Sequence, residues 1–478
     1  MKNIHDLIAK INLPSELFRV INKKDVAEDL SLYLIGVKIL FFNNFRPYLK
    51  LNTHYHYIPD EDALIAIIKY MIHPNDRYSI KTQDVKESVL RVKDCLELQI
   101  NFEDHYEDNK NYINVANGVY DINKQKLLPH NNNYCFDYCF AFSYIPKNDR
   151  KLDTYKYFVE SSIGNNNEAS LLNVIGYSLS SLDDVKKAII FIGPGNSAKS
   201  KILDLIEKGI GIDYVRTNAF DQIGSEASVA SYEGGIKVNL SRDVTIGKIK
   251  EDGGFKSVIS CEPINGRLLY KNHTSVTPRV HFIAASNAFP QYRNPDDASL
   301  DRLTVIRVAG YKGKPDPKFP QKLFSEVDSI CSEAVDVLKN FIESNYDFKL
   351  SKESLELINH EKAKLHTAES FLNECFEFDT NGYVSSVGLY NMYIDWCKRN
   401  AFEPIGKSKF YDIVKLSNSS IIYKKVPNGA SYVNGFYGLK LRTNISTCDD
   451  NYNKISNSGD KENQVKYDTD EKPKSKSA

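Results

Sequence analysis

The segment AIIFIGPGNSAKSKILDLI, residues 188–206, combines in direct succession the patterns of a strand, a loop and a helix. Its first five residues are apolar and predict a buried strand, and the apolar residues after position 200 recur on a helical period. Gly193 and Gly195 permit a tight loop between the two. A strand that passes through such a loop into a helix presents free backbone N–H groups and the positive end of the helix dipole to an anion.

The residues of this loop predict a phosphate-binding site. Lys199 stands at the spacing from Gly193 at which a lysine reaches the β- and γ-phosphates of a nucleotide, and the Ser200 hydroxyl would bind Mg²⁺. Ala198 replaces the glycine of the usual pattern, and a positive φ there would strain it. The alternative is a tight glycine turn with an exposed lysine. The expected ligands are ATP and Mg²⁺, held by Gly193, Pro194, Gly195, Asn196, Ser197, Ala198, Lys199 and Ser200.

The composition is that of a folded protein. The 478 residues are 42% hydrophobic and 26% charged, and 62 basic residues balance 62 acidic ones. A nucleic-acid-binding surface would therefore have to be local. Residues 34–42 are the most apolar window near the start, but they include Lys38 and are too few to span a membrane. We expect no membrane association, no secretory signal, and reduced cysteines in the cytoplasm.

The order of apolar patterns predicts the domain organisation. Residues 186–307 alternate strand-like runs with helical stretches, which indicates an α/β domain with a largely parallel sheet. Residues 32–51 favour strands, and residues 117–130 favour a short hairpin. Residues 369–439 resemble a small domain of helices that ends in two strands. The predicted domains are residues 1–150, 151–345 and 346–442, followed by a polar, disordered tail at 443–478.

Three polar side chains lie near predicted strands downstream of the loop. Asp243 ends the run 236–243 and could hold Mg²⁺ or polarise the attacking water, although it could instead cap the next element. Asn287 ends the apolar strand 280–287 and could contact the γ-phosphate or that water. Arg302 precedes a strand and could complete the site of a neighbouring subunit.

A second candidate site lies between two strand-like stretches. Lys271 and His273 occupy the turn between them, and cations on a hairpin tip suit contact with a nucleic-acid backbone in a narrow channel. The alternative is a solvated loop tip.

Taken in order, these motifs resemble the superfamily 3 helicases, and within them the poxvirus-primase-like branch. That branch is found in phage and plasmid primase–helicases and in replication proteins of bacterial mobile elements. Five segments carry the resemblance: NGVYDINKQKLLPH (117–130), GPGNSAKS (193–200), FKSVISCEPINGRLLYK (255–271), VHFIAASNAFPQYRNPDDASLDR (280–302) and SSVGLYNMYIDWCKRNAFEPIGKSKFYDIV (385–414).

The resemblance implies a fold and a set of residue roles. The fold would be α/β, with a P-loop AAA+-type ATPase core, a mixed α/β N-terminal domain that could act as an assembly collar, and a small C-terminal winged-helix domain. Asp243 would be the Walker B acid, Asn287 the sensor and Arg302 the arginine finger. Lys271 and His273 would lie on the DNA-binding hairpin.

The resemblance also implies an activity and partners. The chain would be an ATP-dependent DNA helicase or replication initiator that forms a homo-hexamer in the cytoplasm of a bacterial host. Single-stranded DNA would pass through the ring, and the C-terminal domain would bind duplex origin DNA. We find neither zinc-ribbon cysteines nor a primase acid cluster before residue 115, so a separate primase or polymerase would supply priming.

Two departures from the family pattern keep alternatives open. Ala198 replaces a glycine, and NLSRD (239–243) lacks a clear acidic pair. The main alternative is an ATP-binding scaffold that binds origin DNA and recruits a host helicase without unwinding. A small-molecule kinase is a further alternative, which the Lys–His hairpin and the winged-helix-like segment disfavour.

Overall fold

The computed structural model describes residues 4–11, 14–21, 24–131, 134–195, 197–242, 244, 252–267, 274–290, 296–311 and 316–442. The chain separates into two units, Met1–Ile358 and Asn359–Ala478, each with its own hydrophobic core. The predicted tail lies outside the described residues.

Short helices and two small antiparallel sheets build the first part of the first unit. The helices are α1 (Ile4–Lys10), α2 (Val26–Val37), α3 (Glu61–Tyr70), α4 (Pro74–Arg77), α5 (Thr82–Lys93) and α6 (Tyr106–Asn109). One sheet has the order β1 (Leu40–Asn43), β2 (Arg46–Lys50), β3 (Tyr55–Tyr57), and the other has the order β4 (Tyr112–Val115), β5 (Gly118–Asp121), β6 (Lys126–Leu128).

The rest of this unit alternates helices and strands. Its helices are α7 (Asp153–Phe158), α8 (Glu168–Ser178), α9 (Lys199–Ile210), α10 (Glu226–Ser231), α11 (Asp252–Ile259), α12 (Asp297–Asp301), α13 (Phe319–Ser325), α14 (Val327–Asp336), α15 (Leu338–Glu343) and the first part of α16 (Lys352–Leu365), which continues beyond the boundary at Ile358. Its strands are β7 (Ala188–Ile192), β8 (Val215–Arg216), β9 (Val238–Ser241), β10 (Ile264–Gly266), β11 (Thr274–Val276), β12 (His281–Ser286) and β13 (Leu303–Arg307).

A parallel sheet organises this part of the chain. Among the described residues it has five strands in the order β13-β7-β12-β9-β8, and all neighbours run parallel. Every residue of β7 and of β12 is buried, as expected where helices cover both faces of a parallel sheet. The prediction of an α/β domain with a largely parallel sheet over residues 186–307 is confirmed.

Helix α9 packs its apolar side on this sheet. The buried residues Ile202, Leu203, Leu205 and Ile206 are those whose spacing predicted the helix. Each contributes about 1.5–3 kcal/mol of hydrophobic transfer energy. This packing holds the first turn of α9 at the end of β7.

The first strands begin later than the sequence indicates. Helix α2 continues to Val37, so the prediction of strands from residue 32 is wrong for residues 32–37. Asp25 caps the helix by accepting a hydrogen bond from the Glu28 N–H (2.9 Å), and Lys38 ends it with a left-handed φ of 49°. Leu30 and Leu34 lie one helical turn apart and are fully buried. The apolar run therefore follows a helical period.

The predicted hairpin at 117–130 is confirmed by the antiparallel pairing of β5 with β6. Next to it, alternate aromatic residues of an extended segment pack into the core, namely Phe136, Tyr138, Phe140 and Phe142. The rings of Tyr138 and Phe140 lie 4.5 Å apart. Aromatic contacts of this kind give the region rigid packing.

A buried charge network attaches this region to α14. The Arg150 guanidinium, which is almost wholly buried, donates to Glu333 (2.7 Å) and Asp336 (2.5 Å). The hydroxyls of Tyr120 and Tyr144 donate to the same Asp336 carboxylate. Removal of one partner would leave an uncompensated buried charge, so the network fixes the hairpin region against the helical layer of the sheet.

The second unit combines helices with an antiparallel sheet. Its elements are α17 (Thr367–Cys375), β14 (Phe376–Ser385), α18 (Ser386–Arg399), α19 (Lys407–Ser417), β15 (Ile422–Asn428) and β16 (Ser431–Leu441), with strand order β14-β16-β15. The predicted final pair of strands is confirmed, and β14 is an addition that the sequence did not indicate. In the core, the rings of Tyr393 and Phe410 stack 4.4 Å apart.

Within the described part of the chain, none of the helices has both the length and the apolar character needed to cross a membrane.

Protonation of a buried histidine should make the first unit sensitive to acid. His281 on β12 stacks on Tyr177 with ring centroids 3.8 Å apart, and its Nε2 lies 2.8 Å from the Leu182 carbonyl oxygen. Burial lowers the pKa of His281 to about 4. The unfolded chain, with an ordinary pKa near 6.5, therefore takes up a proton as the pH falls from about 6.5 to about 4, whereas the folded chain does not. Stability is lost across this window, by about 1.4 kcal/mol per pH unit.

Urea unfolding followed by circular dichroism at several pH values measures this loss. His281→Gln should reduce the slope of unfolding free energy against pH by about one proton. Tyr177→Phe is the matched control, because it removes a neighbouring hydroxyl and should shift stability without changing the slope. An unchanged slope in His281→Gln would contradict the expectation.

Candidate nucleotide-binding site

The residues of the predicted loop lie at the carboxyl edge of the parallel sheet. Ile192, the last residue of β7, pairs with Ser286, the last residue of β12. The Gly193 N–H donates to the Ser286 carbonyl (3.3 Å), and the Val308 N–H donates to the Ile192 carbonyl (2.8 Å). The loop thus emerges between two strands, at an edge where open α/β sheets bind their ligands.

Gly193 is required by a close approach of two backbones. A Cβ at this position would lie 2.6 Å from the Val308 carbonyl oxygen and 3.0 Å from the Ser197 hydroxyl. Gly195 has open space where a Cβ would lie. Gly193 therefore allows the loop to pack closely against the residues that follow β13. A side chain at position 193 would push the loop away from the sheet.

Ala198 adopts the backbone conformation that the sequence analysis identified as a source of strain. Its φ is 67° and its ψ is 0°, in the left-handed region, immediately before the first residue of α9. An alanine pays about 1–2 kcal/mol for this conformation. Ala198 is the N-cap residue of α9, and its side chain has no oxygen that could accept a hydrogen bond. The first N–H groups of α9 therefore face the loop without a capping side chain from residue 198.

Lys199 folds back over the loop. Its Nζ donates to the carbonyls of Gly193 (2.8 Å) and Pro194 (2.7 Å) and to the Ser197 hydroxyl (2.8 Å). The side chain is largely buried, so these bonds satisfy a cation that would otherwise be costly to bury. The ammonium group is held at the mouth of the loop, beside the helix N-terminus.

The loop forms one wall of a cleft of about 740 Å³. Lys199, Lys201 and Arg242 supply positive charge, and Ser200 at the start of α9 is exposed. The lining residues are Ser162, Gly195, Ser197, Ala198, Lys199, Ser200, Lys201, Arg242, Ala285, Ser286, Asn287, Tyr311, Asp316, Pro317, Phe319 and Pro320. This combination of a cationic loop and an apolar far side suits an anionic ligand with a flat organic part.

Of the other predicted site residues, the structure brings Asn287 to the loop. It follows β12 directly, is exposed, and lines the same cleft as Lys199 and Ser200. Asn196, Asp243, Lys271 and His273 lie outside the described residues. On either side of the last two, β10 and β11 pair antiparallel, as the hairpin prediction requires.

Arg302 is not brought to the loop of its own chain. Strand β13 begins at Leu303 opposite Ala188 and ends at Arg307 opposite Ile192. Arg302 therefore lies at the amino edge of the sheet, opposite Lys187 and roughly 20 Å from the start of the loop at about 3.3 Å per residue. Its guanidinium donates to the Ser260 hydroxyl (3.2 Å) and the Ala298 carbonyl (2.9 Å).

Sequence reasoning missed Arg242 as a residue of the cleft. The guanidinium, directly after β9, forms ion pairs with Asp204 and Glu207, which lie one turn apart on α9. Lys201 contacts the same Asp204 (3.4 Å). The sequence does show two acids three residues apart on α9, which could indicate a basic partner. That partner, Arg242, follows β9, and only the strand order of the sheet shows that β9 ends near α9.

The segment 316–320 was also missed, because its prolines indicated only a break between domains. Pro317, Phe319 and Pro320 line the cleft, and the Phe319 ring packs near Tyr157, with centroids 5.9 Å apart. The Lys318 N–H and the Lys322 ammonium lower the pKa of Asp316, so this carboxylate is ionised at the rim of the cleft.

Residues 52–163 match a family model described as D5 N terminal like. The matched segment begins just before β3 and ends at Ile163, the last residue of a π-helical turn, Val159–Ile163. That turn borders the cleft, because Ser162 lines it and the Ser162 carbonyl accepts a hydrogen bond from the Gly310 N–H (3.1 Å). The chain thus carries a D5-like segment that reaches the candidate site.

The fold is also similar to that of a solved structure. The apo structure of the NrS-1 C terminal region (305–718) aligns with a TM-score of 0.51 at 12% identity, and covers 87% of this chain and 100% of that one. Two A-form apo structures of the same region align with TM-scores of 0.48 and 0.42, at 13% and 11% identity. They cover 87% and 86% of this chain and 100% and 98% of theirs. At this identity the likeness concerns the fold alone. No curated protein matches the chain.

Replacement of Ala198 by glycine should stabilise the protein. Glycine adopts φ of 67° without strain but costs more conformational entropy on folding, so we expect a net gain of about 0.5–1 kcal/mol. Urea unfolding measures the gain. Ala66→Gly in the middle of α3 is the matched control and should destabilise by about 1 kcal/mol. A less stable Ala198→Gly variant would show that the strain at this position is smaller than the entropic cost of glycine.

Proposed function

We propose that the protein is an ATP-dependent DNA helicase or replication initiator whose ATP and Mg²⁺ bind at residues 193–200. The observation that supports this most directly is the convergence of the loop, the N-terminus of α9 and Asn287 on one cleft at the carboxyl edge of a parallel sheet. The core would be a P-loop ATPase of AAA+ type.

The residues of the cleft suit the parts of a nucleotide. Backbone N–H groups at the start of α9 would bind the phosphates, and Lys199 would exchange its loop carbonyls for phosphate oxygens. The exposed Ser200 hydroxyl and Asp243 would hold Mg²⁺, which, when bound, neutralises charge on the phosphates. Asn287 would orient the attacking water. The apolar side chains of 317–320 would contact the base.

The position of Arg302 favours sites shared between subunits. This residue lies at the opposite edge of the sheet from its own loop, so as an arginine finger it would act on the loop of a neighbouring copy. Head-to-tail contacts of this kind close into rings when the rotation between copies allows. We propose a homo-hexamer, with the β10–β11 hairpins directed into a channel that holds single-stranded DNA.

The match of residues 52–163 to the D5 N terminal like family supports a replication role of primase–helicase type. The second unit supports a DNA partner. Helix α18, helix α19 and the β15–β16 hairpin follow one another, the order expected of a winged helix, and Lys407, Lys409 and Lys415 are exposed on α19. We propose that this unit binds duplex origin DNA and that a separate primase or polymerase supplies priming.

ATP hydrolysis with and without single-stranded DNA tests the proposal. We expect DNA to stimulate hydrolysis, and Lys199→Ala to lower the rate by about 100-fold or more, because the phosphates lose their cation. Lys208→Ala, on the same helix but at its far end, is the matched control and should retain activity.

Failure of the wild type to hydrolyse ATP that it binds would favour the alternative function. Strained Ala198 and the weak acidic signal around Asp243 motivate that alternative, an ATP-binding scaffold that binds origin DNA and recruits a host helicase. Such a scaffold would assemble on DNA without displacing a strand.

Mixing two inactive variants tests the shared site. Arg302→Ala and Lys199→Ala subunits should each be inactive alone, yet an equimolar mixture should recover up to about a quarter of the sites, because some interfaces then combine an intact loop with an intact arginine. Mixing Lys199→Ala with the double variant is the control and should recover nothing. Equal inactivity of both mixtures would show that Arg302 does not act on the loop of a neighbouring subunit.

A further inference from the structure

The two adjacent lysines of β15 lie on opposite faces of the C-terminal sheet. Successive residues of a strand alternate between faces, so Lys424 shares a face with Ile422, and Lys425 shares the other with Tyr423. The Tyr423 ring packs 4.9 Å from that of Phe436, which is fully buried beneath α19. Lys425 therefore belongs to the helix-covered side, and Lys424 belongs to the side turned away from it.

The side that carries Lys424 also presents two aromatic rings, one on β14 and one on β16, in register with an isoleucine on β15. Tyr383 on β14 pairs with Tyr437 on β16, and Tyr437 pairs with Ile422 on β15. The two tyrosine rings lie 5.7 Å apart. Tyr383 is 48% exposed and Ile422 is 53% exposed, and the Lys424 ammonium lies 4.3 Å from the centre of the Tyr437 ring. We call these four side chains the tyrosine face.

We infer that the tyrosine face binds single-stranded nucleic acid. Exposed rings in a row accept the faces of unpaired bases, and a cation beside them binds the phosphate between two bases. A duplex would not fit this chemistry, because its bases are already stacked on one another and turned inward. The inference concerns a surface remote in sequence from residues 193–200 and does not depend on ATP binding.

The charges of the sheet indicate where the backbone of the bound strand would run. Lys440 on β16 forms ion pairs with Glu377 (3.1 Å) and Asp379 (3.5 Å) of β14. The positive charge of Lys440 is therefore balanced by carboxylates at the β14 edge of the sheet. Lys424 stands on β15 at the other edge of the sheet. Phosphates would therefore follow the β15 edge, with the bases directed across the sheet towards Tyr437 and Tyr383.

The neighbouring lysine provides a built-in control. Lys425 has the same charge, the same strand and a high exposure, but it faces the side of α19. If the tyrosine face binds single strands and the α19 side binds duplexes, Lys424→Ala and Lys425→Ala should affect different ligands. A nonspecific effect of lowering the net charge would affect both ligands equally in both variants.

Photo-crosslinking of the full-length protein tests the inference at the level of single residues. The probe is an oligothymidylate that contains 5-iodouracil, irradiated with the protein in the absence of nucleotide and digested for mass spectrometry. We expect crosslinks at Tyr383 and Tyr437, and we expect Lys424→Ala to reduce their yield about fivefold or more while Lys425→Ala leaves it unchanged. Duplex DNA with the same modified base should give no crosslink at either tyrosine.

Two outcomes would overturn the inference. One is the absence of crosslinks from residues 376–385 and 431–441 when crosslinks form elsewhere in the chain. The other is an equal loss of yield in Lys424→Ala and Lys425→Ala. Tyr383→Leu changes an exposed side chain, so its circular dichroism spectrum should match that of the wild type. A loss of crosslinks in this variant could then not be attributed to a folding defect. Loss of DNA-stimulated ATP hydrolysis with crosslinks retained would count against the proposed function only.

Discussion

The close approach of Gly193 to the Val308 carbonyl oxygen fixes the geometry of the whole candidate site. No other residue fits at this point, since a Cβ would lie 2.6 Å from that oxygen. The contact pins the start of the loop between β12 and β13, and α9 then has one direction in which to leave the sheet. The left-handed Ala198 completes the turn. The strain at one residue is thus tolerated because packing at another has already fixed the path of the chain.

Polar interactions around the loop treat two of its cations differently: Lys199 is bonded to neutral groups, whereas Arg242 is paired with carboxylates. Lys199 is satisfied by neutral carbonyls and a hydroxyl, which compete weakly with an incoming anion. Arg242 is held by two carboxylates of α9, which ties the end of β9 to the helix that carries Ser200. The lysine is therefore available to a ligand, while the arginine serves to fix geometry.

The sequence predicted the parts of the structure that depend on local pattern. A continuous apolar run, glycines and an amphipathic period were enough to predict β7, the loop and α9. An extended run at Val119 and Tyr120 followed by a polar, turn-like stretch predicted the β5–β6 hairpin. The sequence pattern failed where composition and periodicity disagreed. In α2, β-branched and aromatic residues favour a strand, but Ala27, Leu30 and Leu34 follow the spacing of a helix and are buried. It also failed where a contact joins distant segments. The ion pairs of Arg242 and the entry of Phe319 into the cleft depend on strand order and on tertiary packing, which no single stretch of sequence encodes.

The position of β13 beside β7 affects the order in which parts of the protein can fold. This strand lies beside β7, although it is among the last of the sheet to be synthesised, and the Lys187 ammonium contacts the Asp301 carbonyl 114 residues later in the chain. A nascent chain that has emerged only as far as β12 lacks Val308 and Gly310, which form the wall behind the loop. Long-range pairing of this kind is slow, because the entropy of closing the intervening chain must be paid first. The loop would therefore acquire its shape late in folding, after the strands on its other side are already in place.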